Sequence, residues 1–384
     1  MHDVVIVGGG PAGLHAAREL ARAGADVAVF EEHVTVGEPV HCTGVLAAEA
    51  FEEFGIPTGS VLNALRTVEF YAPSGERVTH STARTEAVVV DRKRFDADLA
   101  QLASGAGAAI HRGARATSLD VAADRVTLMI GDARVHGRVC LLACGANYAL
   151  QRRVGLGMPR LLLNTAQVEV PARRLQDVEV HFGSSVAPSG FAWAVPVARE
   201  RACVRVGVMC EGDASRFFQR MMTRIAPRWG VDDAARLQPR QKVLPLGPLK
   251  QTYADRVLVL GDAAGLVKPT TGGGIYYSLV SAAIAASTVV SALDRGDVSA
   301  SALAEYQSGW RKRLGAELRW QLVLRRVAQR LTDAQISSLF ELARTDGLMP
   351  LLRQTAAFNH HREFIIALLK HPPARRVLFR AALA

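Results

Sequence analysis

With 384 residues, 49% of them hydrophobic and 21% charged, the chain can bury a full core without disulfide or metal staples, and bulk disorder is excluded. The formal charge of +10 is concentrated late, where residues 305–384 carry 14 Lys and Arg against 6 Asp and Glu. Five cysteines, Cys42, Cys140, Cys144, Cys203 and Cys210, are odd in number and contain no C-x-x-C pair, so neither a disulfide framework nor a zinc or iron–sulfur nest is encoded and no metal is expected. A reducing cytoplasm is the expected location, with no export signal, because the chain enters a strand directly after Met1-His2-Asp3.

Val4-Val5-Ile6-Val7 is a continuous apolar run of the kind buried in a parallel sheet. Gly8-x-Gly10-x-x-Gly13 follows, then helical apolar spacing from Leu14 to Ala23, then a second strand over 26–30 that ends at Glu31. Gly8 permits a tight turn, Gly10 lets backbone N–H groups approach a pyrophosphate, and Gly13 lets the helix lie close on the strand. The helix N-terminus then faces the phosphates, and Glu31, 18 residues after Gly13, is positioned to accept ribose hydroxyls. An ordinary glycine-rich turn is the alternative, but strand, turn, helix, strand and acid together indicate dinucleotide binding.

Val88-Val89-Val90 leads through Asp91 and Arg92 into a helix around 95–100, closed by Gly105 and Gly107. Strands are predicted at 114–119, 125–130 and 139–142, and a β-rich stretch follows at 165–170, 178–182, 191–197 and 203–209. Val257-Leu258-Val259-Leu260 is again a buried parallel strand, ending at Gly261-Asp262. Residues 269–293 carry no charge, a length that crosses a bilayer, but Thr270, Thr271, glycines and serines favour a buried helix. From about Ser301 the chain reads as helix.

Three separated segments together resemble the geranylgeranyl reductase family of FAD enzymes, which have the para-hydroxybenzoate hydroxylase-like fold. They are the opening glycine motif, Val36-Gly37-Glu38-Pro39-Val40-His41-Cys42-Thr43-Gly44, and Gly261-Asp262-Ala263-Ala264-Gly265 with Pro269 and Gly272-Gly273-Gly274-Ile275. Arg92-x-x-Phe95-Asp96 belongs to the same pattern, and the resemblance covers most of residues 3–295. It implies an α/β architecture with a Rossmann-like FAD-binding domain over 1–60, 85–160 and 250–300. A β-sheet substrate domain over 61–84 and 161–249 and a helical C-terminal region over 301–384 complete it.

By resemblance, FAD contacts fall to Gly8, Gly10, Ala12, Gly13, Glu31, Cys42, Thr43, Gly44, Arg92, Ala116, Asp262, Gly273, Gly274 and Ile275. Gly44 departs slightly, because the family usually has one more residue between its cysteine and the following glycine. Asp262 would accept hydrogen bonds from ribityl hydroxyls, and the helix opened by Gly272-Gly273-Gly274 would stabilise negative charge on reduced flavin. Cys42, in the loop that the family places against the flavin, is the candidate catalytic residue; the bland alternative is a small core hydrophobe, as read for Cys140 and Cys203. His41 beside it is a candidate proton donor.

Two departures stand out. Leu141-Leu142-Ala143-Cys144-Gly145-Ala146 has a thiol where related flavoproteins often carry an Asp-Gly pair, which argues against the usual route of direct NAD(P)H handling. Phe191-Ala192-Trp193-Ala194-Val195-Pro196 resembles the family's Tyr-x-Trp-x-Phe-Pro cavity segment, with Phe for Tyr and Val for the second aromatic. Phe191, Trp193, Val195 and Pro196 are therefore the candidate substrate residues, forming an apolar wall for a hydrocarbon, with sheet core as the alternative.

Trp310-Arg311-Lys312-Arg313 and Arg319-Trp320 with Arg325-Arg326 suit a helix at the cytoplasmic face of an anionic bilayer, or equally one packed on the flavin domain with a solvated basic face. No nucleic-acid module is present, so no nucleic-acid partner is expected. The resemblance implies an FAD-dependent reductase that saturates C=C bonds of a geranylgeranyl-type or polyprenyl chain, carried by an isoprenoid lipid or quinone. NADPH or a protein electron donor would be the reductant. The rival reading is a flavin monooxygenase or halogenase on the same fold.

Overall fold

The computed structural model describes residues 1–198, 202–345 and 347–383. Strand His2–Val7 lies at the centre of an eight-stranded sheet, parallel to Val27–Glu31 on one side and to Ala133–Leu142 on the other. Val257–Val259 and Ala109–Arg112 extend the parallel set outward, and the hairpin Ala116–Val121/Val126–Ile130 feeds antiparallel into Ala133–Leu142. The apolar runs explain the placement: Val4, Val5, Ile6, Cys140, Leu141 and Leu142 are all 0% exposed, as strands covered on both faces require. Helix Pro11–Arg22 packs against both Arg92–Gly105 and Ile275–Asp294. Asp91 caps Arg92–Gly105 by accepting from Arg94 N at 3.1 Å.

The uncharged stretch forms helix Ile275–Asp294, which is long and apolar enough to cross a membrane but is mostly buried, with Leu279, Ala282, Ala285 and Val289 in the core.

A seven-stranded sheet runs in the order Arg240–Leu246, Leu161–Pro171, Cys203–Cys210, Phe191–Ala198, Val178–His181, Thr67–Tyr71, Arg77–Ser81. All pairs are antiparallel except Val178–His181 with Thr67–Tyr71. One face is covered by helix Ala214–Trp229, whose Phe218, Met221, Met222, Ile225 and Trp229 pack on Ala192, Ala194, Val204, Val206 and Val208. Buried Glu179 pins that helix by accepting from Trp229 Nε1 at 2.9 Å and Arg228 Nη2 at 2.5 Å. The sheet's opposite face remains available to a ligand.

The 61–84 segment divides. Thr67–Tyr71 and Arg77–Ser81 join the seven-stranded sheet, but Val61–Leu65 pairs instead with Ala87–Val90 in a three-stranded sheet completed by Val45–Ala47. Ala87–Val90 is buried at every position, so both of its edges need partners.

Helix Ala300–Ala328 turns Leu303, Tyr306, Trp310, Leu314 and Leu318 into the core against Ile275–Asp294. Trp310 donates from Nε1 to Thr252 Oγ1 at 3.0 Å, so it is a core residue rather than an interfacial anchor. Arg311, Lys312, Arg319 and Arg326 stay on the exposed side.

Candidate active site

Between the large sheets lies a continuous cavity of ≈ 1680 Å³. Single-ligand sites commonly enclose about 300–1,000 Å³, so this one has room for a cofactor and a long second ligand. One end is walled by glycines and charged groups, the other by aromatic and aliphatic side chains.

At the first end, Gly8 has φ 108 and a Cβ there would stand 2.4 Å from the Ala143 carbonyl oxygen. A Cβ on Gly13 would lie 2.0 Å from Gly8 O, which is the close seating of helix on strand that only glycine allows. Gly10 faces open space and precedes Pro11 at the first turn of the helix, leaving the N-terminal N–H groups turned to the cavity. Glu31 shapes the turn: its Oε2 accepts from Gly9 N at 2.6 Å and its Oε1 from His33 N at 2.9 Å. A carboxylate has about four acceptor sites, so it keeps capacity for hydroxyl donors. This cradle fits the adenosine and pyrophosphate of a dinucleotide.

Farther in, Cys42, Thr43, Gly44, Arg92, Ala116, Asp262, Gly273, Gly274 and Ile275 line one wall. Cys42 Sγ accepts from Gly44 N at 3.3 Å, and Gly44, at φ 73, leaves no room for a Cβ between Val90 O and Arg205 Nη1, each 2.7 Å away. Arg92 pairs with buried Asp96 through Nη2–Oδ2 at 2.7 Å and Nε–Oδ1 at 3.2 Å. Burial works against the Arg92 charge, yet Asp96 and Cys42 beside it hold its pKa above the usual value. Burial pushes the Asp262 carboxyl up, and the cations Lys242 and Arg92 oppose that rise. Gly274 exists because of Asp262: its Cβ would stand 2.6 Å from Oδ1. Asp262 with the N-terminus of the 20-residue helix Ile275–Asp294 suits the ribityl chain and pyrimidine edge of a flavin.

His41 also lines the cavity, and its Nδ1 is buried without a partner; burial, then Lys242, Arg240 and His33, push its pKa down. Cys144 lines the cavity beside the Gly8 turn, its Sγ donating to Val7 O at 3.6 Å, and burial pushes this thiol up to about 12.

At the apolar end, Phe191, Trp193 and Val195 project from one face of their strand into the cavity. Pro196 does not join them; it falls on the alternate face, where its carbonyl accepts from Asn63 Nδ2 at 3.1 Å. Val68, Phe70, Val178, Val180 and Phe182 continue the wall from the neighbouring strands. Sequence reasoning missed the opposite side, which comes from the C-terminal helices through Leu324, Ala328, Ile336, Leu339 and Phe340. Their spacing of three and four residues was the available signal. Phe340 meets Phe182 at 6.0 Å between ring centroids, and Phe182 meets Phe191 at 6.2 Å.

Arg205 was also missed, although it joins the two ends. It is 7% exposed, pairs with Glu169 at 2.7 Å, and donates from Nη1 to Thr43 O at 2.7 Å and Val90 O at 3.0 Å. Thr43 Oγ1 donates to Gln167 Oε1 at 3.0 Å, a second tie between the Cys42 loop and the seven-stranded sheet.

The family described as lycopene cyclase protein matches residues 3–342. A digeranylgeranylglycerophospholipid reductase from Methanocaldococcus jannaschii is 31% identical over 355 residues, covering 89% of this chain and 90% of the relative. A geranylgeranyl bacteriochlorophyll reductase-like structure from Thermoplasma acidophilum shares the fold at a TM-score of 0.84 and 21% identity, covering 99% of both chains. A flavin-dependent halogenase shares it at 0.69 and 18%, covering 98% of this chain and 76% of the other. A dinucleotide cradle joined to an apolar channel, in a chain matched over nearly its whole length, places this protein in the lycopene cyclase protein family, among the geranylgeranyl reductases.

Proposed function

We propose that the chain is an FAD-dependent oxidoreductase that saturates carbon–carbon double bonds of an isoprenoid chain borne by a lipid. The observation that carries this reading is the continuity of the cavity from Gly10 and Asp262 to Phe182, Phe191, Trp193 and Phe340. FAD held in this cavity would, when reduced, supply the hydride for one alkene carbon, with a proton completing the other. Gly8, Gly10, Ala12 and Glu31 would hold the adenosine and pyrophosphate, while Gly13, which lies outside the cavity lining, seats the helix behind them, and Asp262, Gly273, Gly274 and Ile275 would hold the ribityl and ring end. Arg92, held by Asp96, keeps a fixed positive charge beside Cys42.

An unactivated alkene offers no polar handle, so the protein's contribution is alignment and exclusion of water. Phe191, Trp193 and Val195 would align the chain, and Cys42, on the loop clamped by Arg205, faces the same cavity in which the reacting carbons would lie. Its thiol delivers the proton or keeps water from that position. Electrons arrive from NADPH or a protein donor, distinguished by whether NADPH alone bleaches the flavin absorbance. The exposed basic face with Arg311, Lys312, Arg319 and Arg326 would rest against an anionic bilayer, from which a prenyl lipid or quinone enters.

The test is single-turnover reduction: dithionite-reduced protein, mixed anaerobically with prenyl lipids and quinones, should yield products heavier by two hydrogens per saturated bond. Oxygen-dependent hydroxylation or halide incorporation instead would support the monooxygenase or halogenase reading.

A further inference from the structure

The apolar channel contains a charge with no counter-ion. Arg325, near the end of helix Ala300–Ala328, is 5% exposed and lines the cavity beside Ser189, Ala328 and Gln329. A guanidinium has five N–H donors; here Nη2 donates to the Ser189 carbonyl and buried Nε has no partner. Among the described residues no carboxylate pairs with it. Glu211, which acts on it electrostatically, is exposed and accepts from Gln329 Nε2 at 3.0 Å. Asp333, the other acid on this wall, is held by Ser184 N and Oγ, both at 2.8 Å.

The loop facing Arg325 is built rather than loose. Ser189 takes φ 57, a left-handed conformation uncommon for serine, and a Cβ on Gly190 would lie 1.6 Å from Met209 O. Removal from water pushes the Arg325 guanidinium down to about 10, opposed by Glu211. An unpaired charge in such surroundings is costly, and the planar fork of donors matches phosphate geometry. Aliphatic and aromatic side chains of the same cavity require that the anion be attached to a hydrocarbon.

We propose that Arg325 anchors a phosphate group carried by the isoprenoid substrate, a specificity determinant that rests on the reductase reading of the cavity. The chain then extends from Arg325 along Phe191 and Trp193 toward the Cys42 loop.

FAD-loaded protein is titrated with geranylgeranyl phosphate, with geranylgeraniol and with inorganic phosphate, following tryptophan fluorescence, and the two lipids are also offered to the dithionite-reduced protein. The expected result is a preference of roughly 10- to 100-fold for the phosphate over the alcohol, the range of charge-assisted hydrogen bonds. Arg325→Gln should abolish that preference while leaving alcohol affinity and FAD content unchanged. Arg325→Lys, which keeps the charge without the fork and serves if the Gln variant fails to fold, should lower the preference several-fold.

Equal binding of both lipids by the wild type, equal weakening of both by Arg325→Gln, or an undiminished preference in Arg325→Lys would overturn the proposal. Arg325-dependent binding of inorganic phosphate as tight as that of the lipid would overturn it in favour of a free-anion site. Reduction of both lipids without preference sinks only the Arg325 assignment. An intact, Arg325-dependent binding preference with neither lipid reduced supports anion recognition and sinks the reductase reading alone.

Discussion

The indole of Trp193 lies against Gly207 on the adjoining strand so closely that a Cβ at 207 would meet its Cζ2 at 2.3 Å and Cε2 at 2.6 Å. The missing side chain lets the ring lie along the sheet with the cavity open above it. Gly207→Ala must therefore push the indole outward or strain the sheet, at a cost of about 1–3 kcal/mol. The expected outcome is a KM for prenyl lipid raised about 10-fold with FAD affinity unchanged, read from steady-state kinetics and flavin titration. An unchanged KM would mean that Trp193 does not border the substrate.

Gly274 and Asp262 make the complementary prediction at the cofactor end. A Cβ on residue 274 would stand 2.6 Å from Asp262 Oδ1, at a backbone conformation that alanine otherwise accepts. Gly274→Ala should leave the thermal midpoint of the FAD-free protein within a few degrees of wild type and weaken FAD binding by roughly 10-fold or more. Fluorescence titration with FAD measures it.

Arg205→Met keeps much of the side-chain volume but strips donors from the carbonyls of Thr43 and Val90 and leaves Glu169 unpaired. The expected loss is about 1–3 kcal/mol, mainly from the two carbonyls left without a donor, read from the urea midpoint. Because Thr43 O is freed, the Cys42 loop should also become more accessible to thiol reagents.

Lys268 gives a pH-dependent prediction. It is 2% exposed, with Nζ donating to Phe358 O at 2.8 Å and Asn359 Oδ1 at 3.0 Å, and burial, opposed by Glu49 and Glu317, pushes it down to about 7 from an ordinary 10.5. Between those values the unfolded chain binds the proton and the folded one releases it, so this residue's contribution to stability rises with pH. The stability of Lys268→Met relative to wild type should therefore fall by roughly 2 kcal/mol between pH 6 and pH 9, measured by denaturant unfolding at each pH. A difference independent of pH would show that Lys268 stays charged throughout.

What could be read from the sequence was local. Gly8, Gly10, Gly13 and Glu31 act within one strand–turn–helix–strand unit, so their spacing carries the geometry. Phe191, Trp193 and Val195 were legible for the same reason, since alternation along one strand places them on one face; Pro196, next along, necessarily turns away. The helix Ala214–Trp229 was not predicted, although Phe218, Met221, Met222 and Ile225 recur at helical spacing among the surrounding strands. The far wall was not legible, because Leu324, Arg325 and Phe340 reach the cavity only when the C-terminal helices fold back over the sheet. The basic residues there drew attention to charge and away from the apolar face beneath. Trp310 shows the same limit: its alternation with arginines suits an interface, while tertiary packing on Thr252 decides its position. Lys268 stands alone in sequence before an uncharged run, and nothing local announces its burial.

The most direct measurement is anaerobic mixing of the dithionite-reduced, FAD-loaded protein with a geranylgeranyl lipid, following flavin absorbance and product mass together. The account predicts that the oxidised flavin spectrum returns as the lipid gains two hydrogens for each flavin reoxidised. A flavin that stays reduced until oxygen is admitted, with every prenyl lipid and quinone unchanged in mass, would contradict it.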